Sequence, residues 1–165
     1  VPNQVWVTDI TYLWTLQGWC YLAVVMDLFS RRIVGWALEE TMETSLIEAA
    51  LKQAIQARRP APGLMHHSDR GSQYTSQQYQ QLLKDQGFLV SMSATGYCYD
   101  NAVCERFFRS LKHEFTEFHS YASAADARMS VAHYIADFYN FSRIHSSLGY
   151  QSPVMFEIKQ ALAAA

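Results

Sequence analysis

Three stretches rich in β-branched, aromatic and other apolar residues follow one another near the start of this chain with only turn-length gaps. They are 5–14 (VWVTDITYLW), 19–29 (WCYLAVVMDLF) and 31–38 (RRIVGWAL). Each reads as a strand. Gaps this short, at Gln17-Gly18 and Ser30, suit only an antiparallel meander, because parallel neighbours need a long crossover. The second stretch is apolar almost throughout and is the expected central strand. With Gln17-Gly18 as a two-residue turn, positions whose numbers sum to 35 pair across the first hairpin. Asp27 then faces Thr8, and Asp9 faces Met26. Side chains alternate along a strand, so Asp9 and Asp27 point to opposite faces.

After residue 44 the period changes. Leu46, Ile47, Ala50, Leu51, Ala54 and Ile55 recur at helical spacing over 45–57, and the run RRPAPG at 58–63 stops that helix. Residues 64–68 form a fourth strand, 76–86 a helix closed by Gly87, and 88–92 a fifth strand. A small-residue loop at 93–99 leads to helices over 100–118 and 123–141. A last short helix has Ser152 as N-cap and Pro153 in its first turn. This order predicts an α/β fold with a mixed sheet, as one domain over 1–165. With 165 residues, half of them hydrophobic, the chain can bury roughly 70% of its unfolded surface.

No apolar run approaches the ~18 residues of a membrane span, and no signal-peptide pattern opens the chain. Cys20, Cys98 and Cys104 form no CxxC pair, which argues against a disulfide scaffold or a zinc ribbon and for a reducing cytoplasm. Thirteen Lys and Arg stand against fifteen Asp and Glu, a net charge of −2. That balance excludes a generic basic nucleic-acid binder, but not a site built on carboxylates that recruits its own cations. The opening Val1-Pro2-Asn3 lacks a Met, and a fragment of a longer protein is expected.

Four acidic residues need an explanation. Asp9 sits inside a strand, where Asp is disfavoured; a frayed, solvated strand would also hold it. Asp27 precedes the Ser30-Arg31 turn, and stabilising that turn is its expected role. Asp69 ends the fourth strand in HHSDRGSQYTS (66–76), as an Asx-turn residue or as a group at a functional strand end. Glu105 shares a polar helix face with Asn101, Arg109 and Lys112, all within about 40° on a helical wheel. Alone it reads as an exposed i, i+4 pair with Arg109. Asp100 and Asn101 are better N-caps. Taken together, Asp9, Asp69 and Glu105 are hard oxygen ligands suited to Mg²⁺ or Mn²⁺.

Asp69 and Glu105 are separated by 35 residues, 70 through 104, with Asp9 upstream. The chain thereby resembles the D-D-35-E catalytic cores of retroviral integrases and, more closely, of bacterial insertion-sequence transposases. The closer likeness rests on WVTDITYLWT, YLAVVMDLFSRRIVGWAL, HHSDRGSQYTS, GYCYDNAVCERFFRSLKHE and YNFSRIHSSLGYQSPVMFE, which occur in order over nearly the whole chain. The resemblance implies an RNase H-like fold with a five-stranded mixed sheet flanked by helices. It also implies metal-dependent DNA cleavage and strand transfer. Asp9, Asp69 and Glu105 carry over as a triad binding Mg²⁺ or Mn²⁺, two ions in all. Arg109 and Lys112, past the family glutamate, match residues that touch DNA. Tyr139-Asn140, Arg143 and His145 match the closing motif, where Arg143 meets phosphate. Arg70 is a further candidate phosphate contact, with Gly71 admitting close backbone approach.

The partners implied are transposon-end and target DNA, and further copies of the chain in a homo-oligomer. A helix-turn-helix usually precedes this core in such transposases and is absent here, as is the His-His-Cys-Cys zinc module of retroviral integrases. His67 is a candidate proton shuttle, although a structural role suits its position beside a strand end. The competing functions are a hydrolytic nuclease on the same fold and a non-catalytic DNA-bound or assembly domain.

Overall fold

The computed structural model describes residues 1–92 and 102–164. The meander is present: β1 (Val5–Thr15), β2 (Gly18–Asp27) and β3 (Ile33–Glu39). It is followed by α1 (Thr44–Arg58), β4 (Met65–Ser68), α2 (Gln77–Asp85), β5 (Leu89–Met92), α3 (Ala102–Glu114), α4 (Ala124–His133) and α5 (Pro153–Ala163). The sheet runs β3-β2-β1-β4-β5. β1–β2 and β2–β3 are antiparallel, whereas β4 pairs in parallel with both β1 and β5. The expected loop at 93–99, with Cys98, and the expected caps Asp100 and Asn101 lie outside the described residues.

One expectation is corrected. The hairpin pairs Trp6 with Asp27 and Asp9 with Val24, two residues out of the predicted register, because the turn is Leu16-Gln17. Thr15 is responsible. Its hydroxyl donates to the Gly18 carbonyl at 2.8 Å and accepts the Gln17 N–H at 3.2 Å, closing the turn one residue early. A slip of two preserves strand parity, so Asp9 and Asp27 still face opposite sides. On the Asp9 side, Val7, Leu13, Leu22 and Val24 pack on Phe107 and Leu111 of α3 and Val131 of α4. On the other, Trp6, Ala23 and Val25 pack on Leu46, Ala50 and Leu51 of α1 and Tyr79 of α2.

Asp27 is fully buried and accepts the N–H groups of Asn3 (2.7 Å) and Phe29 (3.0 Å), with Arg58 at 3.4 Å. It therefore shapes the β2–β3 turn, as its position predicts. Burial nonetheless holds its pKa above the ordinary value. Helix α3 is shorter than its sequence pattern, ending at Glu114 with a separate 3₁₀ turn over Thr116–Phe118. The predicted helix at 123–141 is α4 followed by a π-helical segment, Tyr134–Tyr139. That wider winding leaves Asn140 buried against the sheet edge. Its side chain accepts the Ile33 N–H and donates to the Ile33 carbonyl, both at 3.0 Å. Gln53 accepts the Trp36 N–H at 2.7 Å, and Arg128 donates to the Leu38 carbonyl at 2.7 Å. Side chains thus take the place of a sixth strand along β3, an edge that otherwise invites pairing with other chains.

His66 on β4 is wholly buried, its Nε2 2.9 Å from the Tyr79 hydroxyl. Burial pushes its pKa down to about 4. A folded-state value below the unfolded one means that the unfolded chain binds the extra proton first. Stability from this group is complete above pH ~6.5 and is lost as pH falls toward 4, by up to about 3 kcal/mol. Denaturant midpoints at pH 7 and 4.5 should converge in His66→Asn relative to wild type, a comparison that cancels the other titrating groups. A wild-type-minus-variant difference independent of pH would refute this role.

Candidate active site

The parallel β1–β4 ladder ends at Val7–His67, two residues short of Asp9 on one strand and of Asp69 on the other. Equal offsets bring both aspartates to the same end of the β1–β4 ladder. Helix α3 packs Cys104, Phe107, Phe108 and Leu111 inward onto the Asp9 face, leaving Glu105 exposed beside them. Asp9 is half-buried and accepts the Ile10 N–H at 2.8 Å. Its pKa is pushed up to about 7, chiefly by burial and further by the charges of Asp69 and Glu105, against the lowering effect of that hydrogen bond. The three carboxylates thus share one neighbourhood.

Asp69 fulfils the Asx-turn reading of its position. Its Oδ1 accepts the Gly71 N–H at 2.8 Å, an Asx-turn, while the side chain stays exposed. A Cβ on Gly71 would lie 3.0 Å from that same oxygen, so the glycine makes room for the Asp69 carboxylate. Neighbouring His67 is buried, with Nδ1 3.0 Å from the Ser91 hydroxyl, an anchored position that suits the structural role.

The predicted cations separate into two groups. Arg70 and Arg109 are exposed and have no ion-pair partner among the described residues. Lys112 lies 4.8 Å above the ring of Tyr12. Glu105 therefore does not spend its charge on an ion pair with Arg109. Arg143 is different: its Nε and Nη2 grip Glu114 at 2.6–3.0 Å, and Nη2 also donates to Ser110 at 3.1 Å. Any phosphate it meets must share that guanidinium with Glu114.

The donor set fits a divalent cation. It is all carboxylate oxygen, and Asp9 carries the penalty of like charges that a cation would relieve. Among the described residues, no three His, Cys, Asp or Glu side chains already gather tightly enough to hold an ion. Arg31 and Arg106 escaped sequence reasoning. They stand in the run Arg31-Arg32 and beside Glu105, and their only sequence signal was charge.

A family model described as an integrase core domain matches residues 1–98, and a second with the same description matches 86–153. The transposase for insertion sequence element IS904 of Lactococcus lactis is 44% identical over 156 residues, 94% of this chain and 62% of that protein. Transposase InsF for insertion sequence IS3A of Escherichia coli is 46% identical over 158 residues, 96% of this chain and 55% of that protein. This chain therefore spans a little over half the length of these relatives. The HTLV-2 integrase catalytic core domain, solved in complex with magnesium, superposes with a TM-score of 0.72 at 16% identity, covering 94% of this chain and 97% of that one. This confirms the RNase H-like fold. Among the described residues no helix is long and apolar enough to cross a membrane. With a family model matching more than half of its length and a second continuing to residue 153, and with insertion-sequence transposases among the proteins it is similar to, the chain belongs to the integrase core domain family.

Proposed function

We propose that this chain is one catalytic core domain that cuts and joins DNA strands by metal-dependent phosphoryl transfer, with Asp9, Asp69 and Glu105 as the metal-holding triad. The reading is supported by the β1–β4 register, with Asp9 and Asp69 at equal offsets past the end of one ladder, and by the charges of Asp69 and Glu105 that both act on Asp9. When bound, a pair of Mg²⁺ or Mn²⁺ ions supplies Lewis acidity at the attacking and leaving oxygens of a phosphodiester. The protein's own part is positional. Asp9 is fixed by its strand and by the Ile10 N–H, while Asp69 and Glu105 stay exposed and free to close on it. Arg70, Arg109 and Lys112 hold the DNA backbone alongside. The partners are element-end and target DNA and, in the active complex, further copies of this chain, acting in the bacterial cytoplasm.

The test uses an element-end duplex with a free 3′-hydroxyl, a plasmid target and Mg²⁺ or Mn²⁺. Joined products are expected, and chelation abolishes them. Cleavage without joining identifies a hydrolytic nuclease instead, and binding without any cleavage identifies an assembly domain. Crystals soaked in Mn²⁺ should show anomalous density between the three carboxylates.

Arg109→Ala and Lys112→Ala should each weaken DNA binding evenly across sequences. Each should lower the slope of log K against log salt by roughly 0.9 per lost contact. A slope equal to wild type would leave Arg109 a solvated charge, and Lys112 only a partner of Tyr12.

A further inference from the structure

A cavity of about 160 Å³ opens beside α3, lined by Arg31, Arg106, Ser110, Tyr139, Arg143 and His145 among others. Three guanidinium groups reach it from three separate elements: the β2–β3 turn, α3 and the segment after the π-helical winding. Among the described residues only Arg143 has a carboxylate partner, Glu114. Arg31 is held in a left-handed backbone conformation, φ 63°, unusual for a non-glycine residue. Burial, with the neighbouring Arg106 charge, lowers its pKa.

Hydrogen bonding in the cavity is one-sided. The Nη1 of Arg31 and the Nε2 of His145 are both buried without a hydrogen-bond partner among the described residues. Arginine can only donate, so the 3.5 Å contact from Arg143 Nη1 makes His145 Nδ1 an acceptor and places the imidazole proton on Nε2. Burial and the adjacent arginines push the His145 pKa down to about 4, so the ring is neutral with one unused donor. The Ser110 hydroxyl accepts from Arg143 and keeps its own proton to give. The cavity therefore presents unused donors and surplus positive charge. Buried donors left unmatched are costly, and a ligand rich in acceptors removes that cost. Guanidinium groups match the oxygens of a phosphate in particular.

We propose that this cavity is a DNA-phosphate subsite, in which Arg31, Arg106 and the Nε2–H of His145 grip a backbone phosphodiester next to the strand held at the carboxylates. Arg106, which lines the cavity, directly follows Glu105 on α3, so the subsite lies beside the proposed triad. The proposal rests on the reading that the chain acts on DNA. It adds a second anchoring point that fixes the direction in which a strand leaves the site.

The test is made in EDTA, so that it does not depend on turnover. The His145 imidazole nitrogens are followed by NMR while inorganic phosphate, or a short blunt duplex, is titrated into this chain and into Arg106→Gln and Arg31→Lys variants. The expected result is a saturable shift of Nε2 with the duplex. Arg106→Gln should abolish it and Arg31→Lys weaken it at unchanged melting temperature, and the Arg106→Gln salt slope should fall by roughly 0.9. DNA binding that leaves the His145 signals unmoved overturns the subsite and spares the proposed function. A response to inorganic phosphate with none to the duplex also overturns it, leaving a pocket for free anions. No DNA binding at any salt concentration sinks both.

Discussion

Asp9→Asn, Asp69→Asn and Glu105→Gln should each abolish strand cleavage and joining while leaving the melting temperature near that of wild type. Loss of partners that merely support a metal ligand costs about 10–100-fold, so loss of a ligand itself should exceed 100-fold. Asp9→Asn should melt at or above the wild-type temperature, because burial and two like charges already disfavour its carboxylate. Asp27→Asn is the control. Asp27 lies on the other face and is tied to Asn3, Phe29 and Arg58, so its substitution should lower stability and spare chemistry measured well below the melting point. Wild-type turnover in any triad variant, with metal present, would strike that residue from the triad. Loss of activity in an intact Asp27→Asn protein would mean that the wrong face had been identified.

The largest effect on stability should come from Gly35→Val. Helix α1 lies so close to β3 that a β-carbon on Gly35 would sit 2.2 Å from the Ala50 carbonyl oxygen and 2.7 Å from the Ala54 Cβ. The obstruction is helix backbone and a methyl group with no rotamer to change, so α1 itself must shift. Overpacking a close-packed core costs about 1–3 kcal/mol and sometimes more. With a branched side chain against backbone, a loss above about 3 kcal/mol is expected, or roughly 10 °C in melting temperature for a chain of this size. Gly35→Ala should fall in between. A Gly35→Val protein melting within two or so degrees of wild type would show that the α1–β3 contact yields readily.

Element type and order were readable because each segment's hydrophobic period matches its structure. Leu46, Ala50 and Ala54 step along one buried helix face, and Val7, Leu13, Leu22 and Val24 share one sheet face. The hairpin register was misread because the Gln17-Gly18 signal is local, whereas the turn is decided by what the Thr15 side chain can bond. The facing of Asp9 survived, since side-chain parity depends only on odd or even offset. The proposed triad was legible in the sequence through the spacing of its three carboxylates. The basic cavity was not, because Arg31, Arg106 and Arg143 are brought together only by the tertiary fold, and the Glu114 grip on Arg143 joins residues 29 apart. The π-helical segment at Tyr134–Tyr139 likewise has a helical pattern in sequence, and only its hydrogen bonds distinguish it.

The side-chain cover along β3 has a consequence for how the protein is made. Ile33 and Asn140 are separated by 107 positions. At a translation rate of about 5–20 residues per second, roughly 5 to 20 s pass between their emergence from the ribosome. Throughout that interval the nascent meander can form by local contacts, but its β3 border at Ile33 has backbone groups without their native partner. A bare strand border is a template for association with other nascent chains. The hazard to this fold is thus greatest during synthesis, and chains that stop before Asn140 should be far more prone to aggregate than their loss of buried area alone would suggest.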